Sequence, residues 1–253
     1  MRKACVLVMS GHSKWKNIMH KKGKTDAQRA KVFTKIGREI MVAVKEGGAD
    51  PAANGKLRDL IAKAKQNNVP NDNIDRVIKK AAGGDDKNNY ESMVYEGYGP
   101  NGVAVIVEAL TDNKNRTAGE VRHYFDKFGG NLGTSGCVSY MFSTKGIVIL
   151  ENDGLDEEKV MEDCMEAGVE DFDFGEEAVE IETLPAECGN VREFLEGKGY
   201  TIISAEVEQV PSTYTQLTEP EHIRKMNLLL DALEENDDVQ NVFHNWENQD
   251  DGE

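Results

Sequence analysis

The stretch Val103-Ala104-Val105-Ile106-Val107-Glu108-Ala109-Leu110 decides the fold predicted for this chain. It is a nearly continuous apolar run, which is typical of a buried strand. The preceding residues 95–102 are rich in glycine and predict a turn. The following residues 111–117 are polar and predict a loop, after which a helix carries Val121, Tyr124, Phe125 and Phe128 on its inward side. The apolar run therefore begins a β-α unit.

A longer succession of strands and helices follows this unit. Strands are predicted at residues 137–142 and 146–150, joined by residues 143–145. A helix, a strand, a helix and a strand are then predicted at residues 156–167, 178–183, 191–196 and 200–210. The order β-β-α-β-α-β resembles a ferredoxin-like unit, a split β-α-β arrangement, with one extra hairpin strand. This part of the chain therefore predicts an α+β domain.

The C-terminal part supplies one more helix and one more strand. Regularly spaced apolar side chains predict the helix at residues 220–235, and the strand is predicted at residues 239–243. A lone helix and strand cannot make a domain, so we expect them to complete the β-α unit that begins at Val103. The predicted middle domain then comprises residues 85–133 plus 211–246, and an acidic α+β domain of residues 134–210 is inserted into it. Residues 247–253 are strongly polar and predict a disordered tail.

The N-terminal part predicts a basic helical domain of residues 9–84. Thr25 and Gln28 have the spacing of a capping box, and a second and a third helix are expected after Pro51 and from about Asn71 to Gly83. The apolar side chains that recur at helical spacing in the first helix are Val32, Phe33, Ile36, Ile40 and Val44. The predicted fold class is thus α+β, with an N-terminal three-helix domain followed by two α+β, ferredoxin-like domains, the third inserted into the second.

Charge is distributed very unevenly along the chain. Residues 1–80 contain 19 Lys and Arg against 7 Asp and Glu, a formal charge of +12, whereas residues 81–253 contain 11 against 39, a charge of −28. The two values give the net charge of −16. A basic head on an acidic body is typical of a polyanion-binding module, and the alternative is a solvated charged face. We therefore predict that the N-terminal part binds nucleic acid.

Two features of the basic part suggest where the contacts lie. Lys31, Lys35, Arg38 and Lys45 fall together on the side of the first helix opposite Phe33, Ile36 and Ile40, so one face packs and the other is basic. Before this helix, Trp15 lies among lysines in a segment expected to be flexible, where an aromatic ring can stack on an unpaired base or pack against the helical domain. The predicted nucleic-acid contacts are Lys14, Trp15, Lys16, His20, Lys21, Lys22, Lys24, Lys31, Lys35 and Arg38.

Sequence patterns for catalysis are missing. The chain has no Gly-x-Ser-x-Gly nucleophile elbow, and its five histidines form no zinc-binding pattern. No apolar run approaches the roughly 20 residues of a membrane span. We therefore expect a non-enzymatic cytoplasmic protein with no cofactor, metal, membrane or small-molecule partner. A hydrolase built from the carboxylates of residues 151–187 is the alternative from another class.

Several short segments resemble those of one known family. They are Ser10-Gly11-His12-Ser13-Lys14-Trp15, Phe33-Thr34-Lys35, Tyr95-Glu96-Gly97-Tyr98-Gly99-Pro100, Thr111-Asp112-Asn113-Lys114-Asn115-Arg116-Thr117 and Asp237-Asp238-Val239-Gln240-Asn241-Val242. Together, and in this order, they resemble the YebC family from Met9 to about Asn248. The resemblance implies three domains, the third inserted into the second.

The resemblance also implies a role in gene expression. Members of the YebC family are described as DNA-binding transcriptional regulators, and mitochondrial relatives as translational activators of cytochrome c oxidase. The expected partner is therefore DNA or, as the alternative, ribosomal RNA. We further expect the acidic α+β surface to be available to a protein partner.

Overall fold

The computed structural model of the protein describes residues 26–83 and 89–247, and these form an α+β fold. The helices are α1 (Asp26–Gly47), α2 (Gly55–Gln66), α3 (Asn71–Ala82), α4 (Lys114–Lys127), α5 (Glu157–Glu166), α6 (Cys188–Gly197) and α7 (Pro220–Glu235). The strands are β1 (Glu91–Tyr98), β2 (Ala104–Thr111), β3 (Asn131–Leu132), β4 (Phe142–Glu151), β5 (Asp171–Phe174), β6 (Ala178–Thr183), β7 (Ile202–Pro211) and β8 (Val239–His244). The predicted fold class is confirmed.

The first three helices form a small helical unit with a core of its own. Ile36 and Ile40 of α1 are buried against Leu57 of α2 and Ile74 of α3. Asn54 caps α2, because its side chain accepts a hydrogen bond from Leu57 N and donates to Ala43 O. The predicted start of α1 at a Thr25 cap lies outside the described residues.

A four-stranded antiparallel sheet in the order β3-β1-β2-β8 forms the middle of the molecule. Helix α4 joins β2 to β3, with β1 between them, which is a split β-α-β arrangement. Val105 and Val107 of β2 pack against α4 and α7, whereas Ala104 and Ile106 face the opposite side and pack against residues 138–142. Because both faces of β2 are covered, this strand reads as a continuous apolar run.

A second antiparallel sheet follows, in the order β5-β6-β4-β7. Its elements occur along the chain as β4-α5-β5-β6-α6-β7, which is a ferredoxin-like unit. Val148 and Leu150 of β4 pack against Val160 of α5 and Val191 of α6. The chain then returns through α7 and β8 to the first sheet, where β8 pairs with β2.

The strands of both sheets correct the prediction at several points. The predicted hairpin at residues 137–150 is wrong, because residues 143–145 pair with Val210, Gln209 and Glu208 of β7 and so continue a single strand, β4. A short 3₁₀ turn, Ser139–Met141, takes the place of the first predicted strand. Strand β5 was missed, although its Asp-Phe-Asp-Phe alternation has the period of a half-buried strand.

The turn predicted at residues 95–102 is also wrong in its first half. Residues Tyr95 to Tyr98 belong to β1, which pairs with β2 along its whole length, and only Gly99 to Gly102 form the turn. The Glu96 carboxylate accepts hydrogen bonds from the backbone N–H groups of Gly136, Val138 and Ser139. Burial raises the pKa of Glu96, but these bonds outweigh it and leave the pKa below its usual value. Glu96 therefore fixes the entry into the second sheet.

The position of Gly97 leaves no room for a side chain without a shift of the neighbouring atoms. A Cβ atom there would lie 2.6 Å from Asn131 O and 2.9 Å from Phe125 Cε1, because β3 and α4 approach the backbone closely. We expect Gly97→Ala to lower the free energy of unfolding by about 1–3 kcal/mol, the usual effect of overpacking, as measured by urea denaturation. In the matched control, Gly119→Ala in α4, the new methyl group meets nothing within 4 Å. Equal stability of the two variants would contradict the packing assigned to Gly97.

Candidate nucleic-acid interface

The structure describes three of the ten predicted contacts. Lys14, Trp15, Lys16, His20, Lys21, Lys22 and Lys24 lie outside the described residues. Lys31, Lys35 and Arg38 lie on α1, where they repeat at intervals of four and three residues and so form one row along the helix. Ile36 and Ile40 pack into the helical core, but Phe33 is only half-buried and lies outside that core. The predicted separation of a packed side from a basic side holds apart from Phe33.

The basic row of α1, defined here as Lys31, Lys35 and Arg38, contacts the C-terminal end of α7. Lys31 Nζ lies 2.6 Å from Glu235 Oε2 and 3.3 Å from Glu235 O. Lys35 Nζ donates to Glu234 O at 2.8 Å. Arg38 Nη1 donates to Asp237 O at 2.6 Å and to Asp238 Oδ1 at 2.9 Å. Each member of the row thus has an acceptor within the protein.

The end of α7 is a suitable acceptor for cations. The last four carbonyl groups of a helix have no partner within it, and together they form the negative end of the helix dipole. Helix α7 has no basic residue in its own last turn, and its last residues include Glu234 and Glu235. The cations that satisfy its C-terminal carbonyl groups therefore come from α1.

Asp238 lies at the centre of this contact and is almost completely buried. Its carboxylate accepts hydrogen bonds from Arg38 at 2.9 Å, Arg116 at 2.6 Å, Thr117 at 2.8 Å and Thr111 at 3.1 Å. Burial raises the pKa of Asp238, but the bonds from Arg116, Thr117 and Thr111 outweigh burial and hold the pKa below its usual value. Two of the segments that carry the family resemblance, residues 111–117 and 237–242, therefore meet at one carboxylate.

A second polar contact joins the helical unit to the second sheet. Lys63 Nζ lies 3.4 Å from Glu39 Oε2 and 3.4 Å from Glu206 Oε1 of β7. Burial lowers the pKa of Lys63, but the two carboxylates outweigh it and raise the pKa above its usual value. Burial also raises the pKa of Glu39 despite the nearby Lys63. Ion pairs between Arg58 and Glu193 and between Asp59 and Arg192 extend this contact toward α6.

Other cations of the helical unit face solvent. Lys65, Arg76 and Lys79 are exposed, and none of them forms an ion pair with an acidic residue in the described part of the chain. Arg76 donates a hydrogen bond to Asn73. None of these three is among the contacts predicted from the sequence, which follow the densest run of lysines along the chain. A phosphate can reach these three cations without any change in the protein.

Possible metal ligands and thiol groups are the features of the described residues that bear on catalysis. Within residues 26–83 and 89–247, no group of His, Cys, Asp and Glu side chains is arranged to hold a metal ion. Burial raises the pKa of Cys164 and of Cys188 to about 11, so both thiols are protonated near neutral pH. None of the helices in these ranges is both long and apolar enough to cross a membrane.

Two family profiles match consecutive parts of the chain. The family profile described as "TACO1/YebC protein N-terminal domain" matches residues 13–84, and the profile described as "TACO1/YebC second and third domain" matches residues 90–246. The chain is 62% identical to a probable transcriptional regulatory protein of Acetivibrio thermocellus over 239 residues, covering 94% of this chain and 99% of the relative. A protein of the same name from Ruminiclostridium cellulolyticum is 59% identical, with 97% and 99% covered.

A solved structure of a related protein shows the same fold. It is the crystal structure of a conserved hypothetical protein from Aquifex aeolicus, which is 48% identical to this chain. The two superimpose with a TM-score of 0.83 over 93% of this chain and 97% of the other. On the profile matches, the identities and the shared fold, the chain belongs to the TACO1/YebC family.

Proposed function

We propose that this protein is a non-enzymatic DNA-binding regulator of transcription, whose basic N-terminal part binds the nucleic acid. The observation that carries the proposal is the charge of +12 on residues 1–80 of a chain whose remainder carries −28. The relatives named as probable transcriptional regulatory proteins support the same role. The relatives come from bacteria, whose DNA lies in the cytoplasm, so we propose that the protein acts there. The acidic remainder of the chain is proposed to face protein partners.

The first contacts are proposed to come from two sets of cations. One is the leader set Lys14, Lys16, Lys21, Lys22 and Lys24, which precedes α1 along the chain. The other is the exposed set Lys65, Arg76 and Lys79 of α2 and α3. The basic row of α1 already has acceptors at the end of α7, so it is not free to make the first contact.

Binding is proposed to depend only weakly on DNA sequence. Lysine predominates in the basic part, and lysine contacts mainly phosphate oxygens, which fix the position of a protein on DNA without reading bases. Sequence is read chiefly by arginine, asparagine and glutamine side chains in the major groove. The ribosomal RNA alternative is kept because Trp15 lies between Lys14 and Lys16, a pattern that suits stacking on an unpaired base.

A salt titration of binding tests the proposal. We expect the logarithm of the affinity for duplex DNA to fall linearly with the logarithm of salt concentration, with a slope of roughly −0.9 for each phosphate contacted. Reversal of charge at Lys21, Lys22 and Lys24 to glutamate should flatten that slope by up to about 2.7 and weaken binding uniformly across sequences. Fluorescence anisotropy with several duplexes measures both quantities.

Two controls make the titration specific. Reversal of charge at Arg122, Lys127 and Lys159, which lie outside the basic part, changes the net charge equally and should leave the slope unchanged. Trp15→Ala should leave duplex binding unaffected if DNA is the target. Loss of binding confined to a ribosomal RNA fragment in the Trp15 variant would favour the translational role instead. Binding of duplex DNA without any salt dependence would overturn the proposal.

A further inference from the structure

The contact between α1 and α7 has a consequence for nucleic-acid binding. The basic row directs one guanidinium and two ammonium groups at carbonyl and carboxylate oxygens. Arg38 lies seven positions after Lys31, a rise of about 10 Å along a helix. Phosphate oxygens along a nucleic-acid strand are acceptors of the same kind, and they carry full negative charge. The end of α7 therefore occupies the positions that a phosphodiester backbone would take.

We propose that this contact is an electrostatic clasp, which holds the helical unit α1–α3 against the rest of the protein until the phosphates of a bound nucleic acid displace the end of α7. The inference rests on the proposed function, and it adds to that function a change of domain arrangement. The leader set and the exposed set bind first, and the basic row then exchanges the end of α7 for phosphate.

The helical unit can separate from the rest of the protein without unfolding. Its buried core contains only residues between Ile36 and Ala81, and the core of the first sheet contains none of them. Parts of a chain with independent cores can move relative to one another when the interface between them is polar. Opening therefore exposes no shared apolar core.

The seam between the helical unit and the rest of the protein combines ion pairs with apolar side chains, among them Val42, Leu60 and Met93, and is incompletely packed. Ion pairs cross it at both ends: Lys31 with Glu235 and Arg38 with Asp238 at one, and Arg58 with Glu193 and Lys63 with Glu206 at the other. Two cavities of about 330 Å³ and 320 Å³ lie along it, one between α2 and α6 and one between α1, α2 and the first sheet. The pairs of Lys31 with Glu235 and of Arg58 with Glu193 are the more exposed ones, and exposed ion pairs are weak and are screened by salt, so phosphates can compete with them. The pairs of Arg38 with Asp238 and of Lys63 with Glu206 are more buried.

Glu235 offers a way to weaken the clasp without touching a cation that binds nucleic acid. Its side chain is largely exposed and pairs with Lys31. We expect Glu235→Gln and Glu235→Lys to bind duplex DNA roughly two- to fivefold more tightly than the matched variants Glu162→Gln and Glu162→Lys, the range that one exposed ion pair contributes. Glu162 is exposed on α5, which contributes no residue to the ion pairs or cavities of the seam described above. Because both positions carry glutamate, matched variants have the same net charge.

A distance measurement tests opening directly. Two spin labels report the separation of the two parts, one at exposed Ala53 between α1 and α2 and one at exposed Arg122 on α4. The labels are placed in the full-length chain, with Cys5 and Cys137 replaced by serine. We expect duplex DNA to increase the distance between the labels, as measured by pulsed electron paramagnetic resonance. Without DNA, Glu235→Lys should increase the distance by a smaller amount. Circular dichroism establishes that each variant is folded.

The possible outcomes separate this inference from the proposed function. If duplex DNA binds with the expected salt slope but the label distance stays fixed and the Glu235 variants match the Glu162 variants, the clasp is wrong and DNA binding stands. If no variant binds DNA with a salt-dependent affinity, the proposed function fails and the clasp as stated here fails with it. A longer label distance together with tighter binding by the Glu235 variants supports both.

Discussion

A chain that ends at residue 210 is expected to lose the cooperative unfolding of the middle domain. Seven of the fourteen residues that form the described core of the first sheet come from the C-terminal part, namely Leu217, Met226, Leu229, Leu230, Leu233, Val239 and Trp246. Complete burial of one such side chain contributes about 1.5–3 kcal/mol, and seven of them together equal or exceed the roughly 5–15 kcal/mol of net stability that a domain has. Without α7 and β8, the remaining half of the core cannot hold β1, β2 and α4 together.

Calorimetry and hydrogen exchange measure this loss. The transition of the middle domain should disappear and the amides of β2 should exchange rapidly, whereas the second sheet, which has its own core, should keep its protection. A chain that ends at residue 247 is the matched control, because it retains α7, β8 and Trp246, and it should unfold like the full chain. The predicted domain boundaries would be wrong if the chain ending at residue 210 kept the unfolding enthalpy of the whole protein.

Asp238→Ala is expected to cause the largest loss of stability among single substitutions at the candidate interface. The Asp238 side chain is 6% exposed and accepts hydrogen bonds from two arginines and two threonines. Removal of one partner of a buried ion pair costs about 3–5 kcal/mol, and we expect about 3 kcal/mol because the partly exposed Arg116 can be rehydrated. Urea denaturation at neutral pH measures the difference in the free energy of unfolding.

The neighbouring Asp237 provides the control for this substitution. Its side chain is exposed, so Asp237→Ala removes the same charge and should change stability by less than about 0.5 kcal/mol. The pKa of Asp238 is lowered in the folded state, so its contribution is complete above the ordinary pKa of 3.8 and is lost as the pH falls through the lowered value. The stability difference from wild type should therefore shrink only in strong acid. Equal stability of the two variants at neutral pH would refute the central role of Asp238.

The sequence determined those elements whose signals are local. Helix α7 spans the predicted residues 220–235, because leucine and methionine recur along one side and a proline opens the helix. Strand β6 likewise occupies the predicted residues 178–183. The apolar run at Val103 predicted β2 correctly, since a strand covered on both faces has no polar alternation to obscure it.

Other elements were decided by partners that lie elsewhere in the chain. Strand β1 contains two glutamates and a glycine, and its second half has the local sequence of a turn. Pairing with β2 makes it a strand. Residues 143–145 read locally as a connection, and their pairing with β7 makes them the middle of β4. Strand propensity depends strongly on such context, so a single sequence places polar strands poorly.

At the candidate interface, the sequence determined which cations lie on one side of α1, and only the tertiary structure decided what they contact. Lys31, Lys35 and Arg38 follow from helical periodicity, but their acceptors at Glu234 to Asp238 lie about 200 residues further along the chain. Periodicity reports which side chains share a face and carries no information about the surface opposite that face. The surface opposite the basic row is the negative end of α7. It lies there because the chain returns to the first sheet, where β8 pairs with β2, and this pairing brings the end of α7 beside α1.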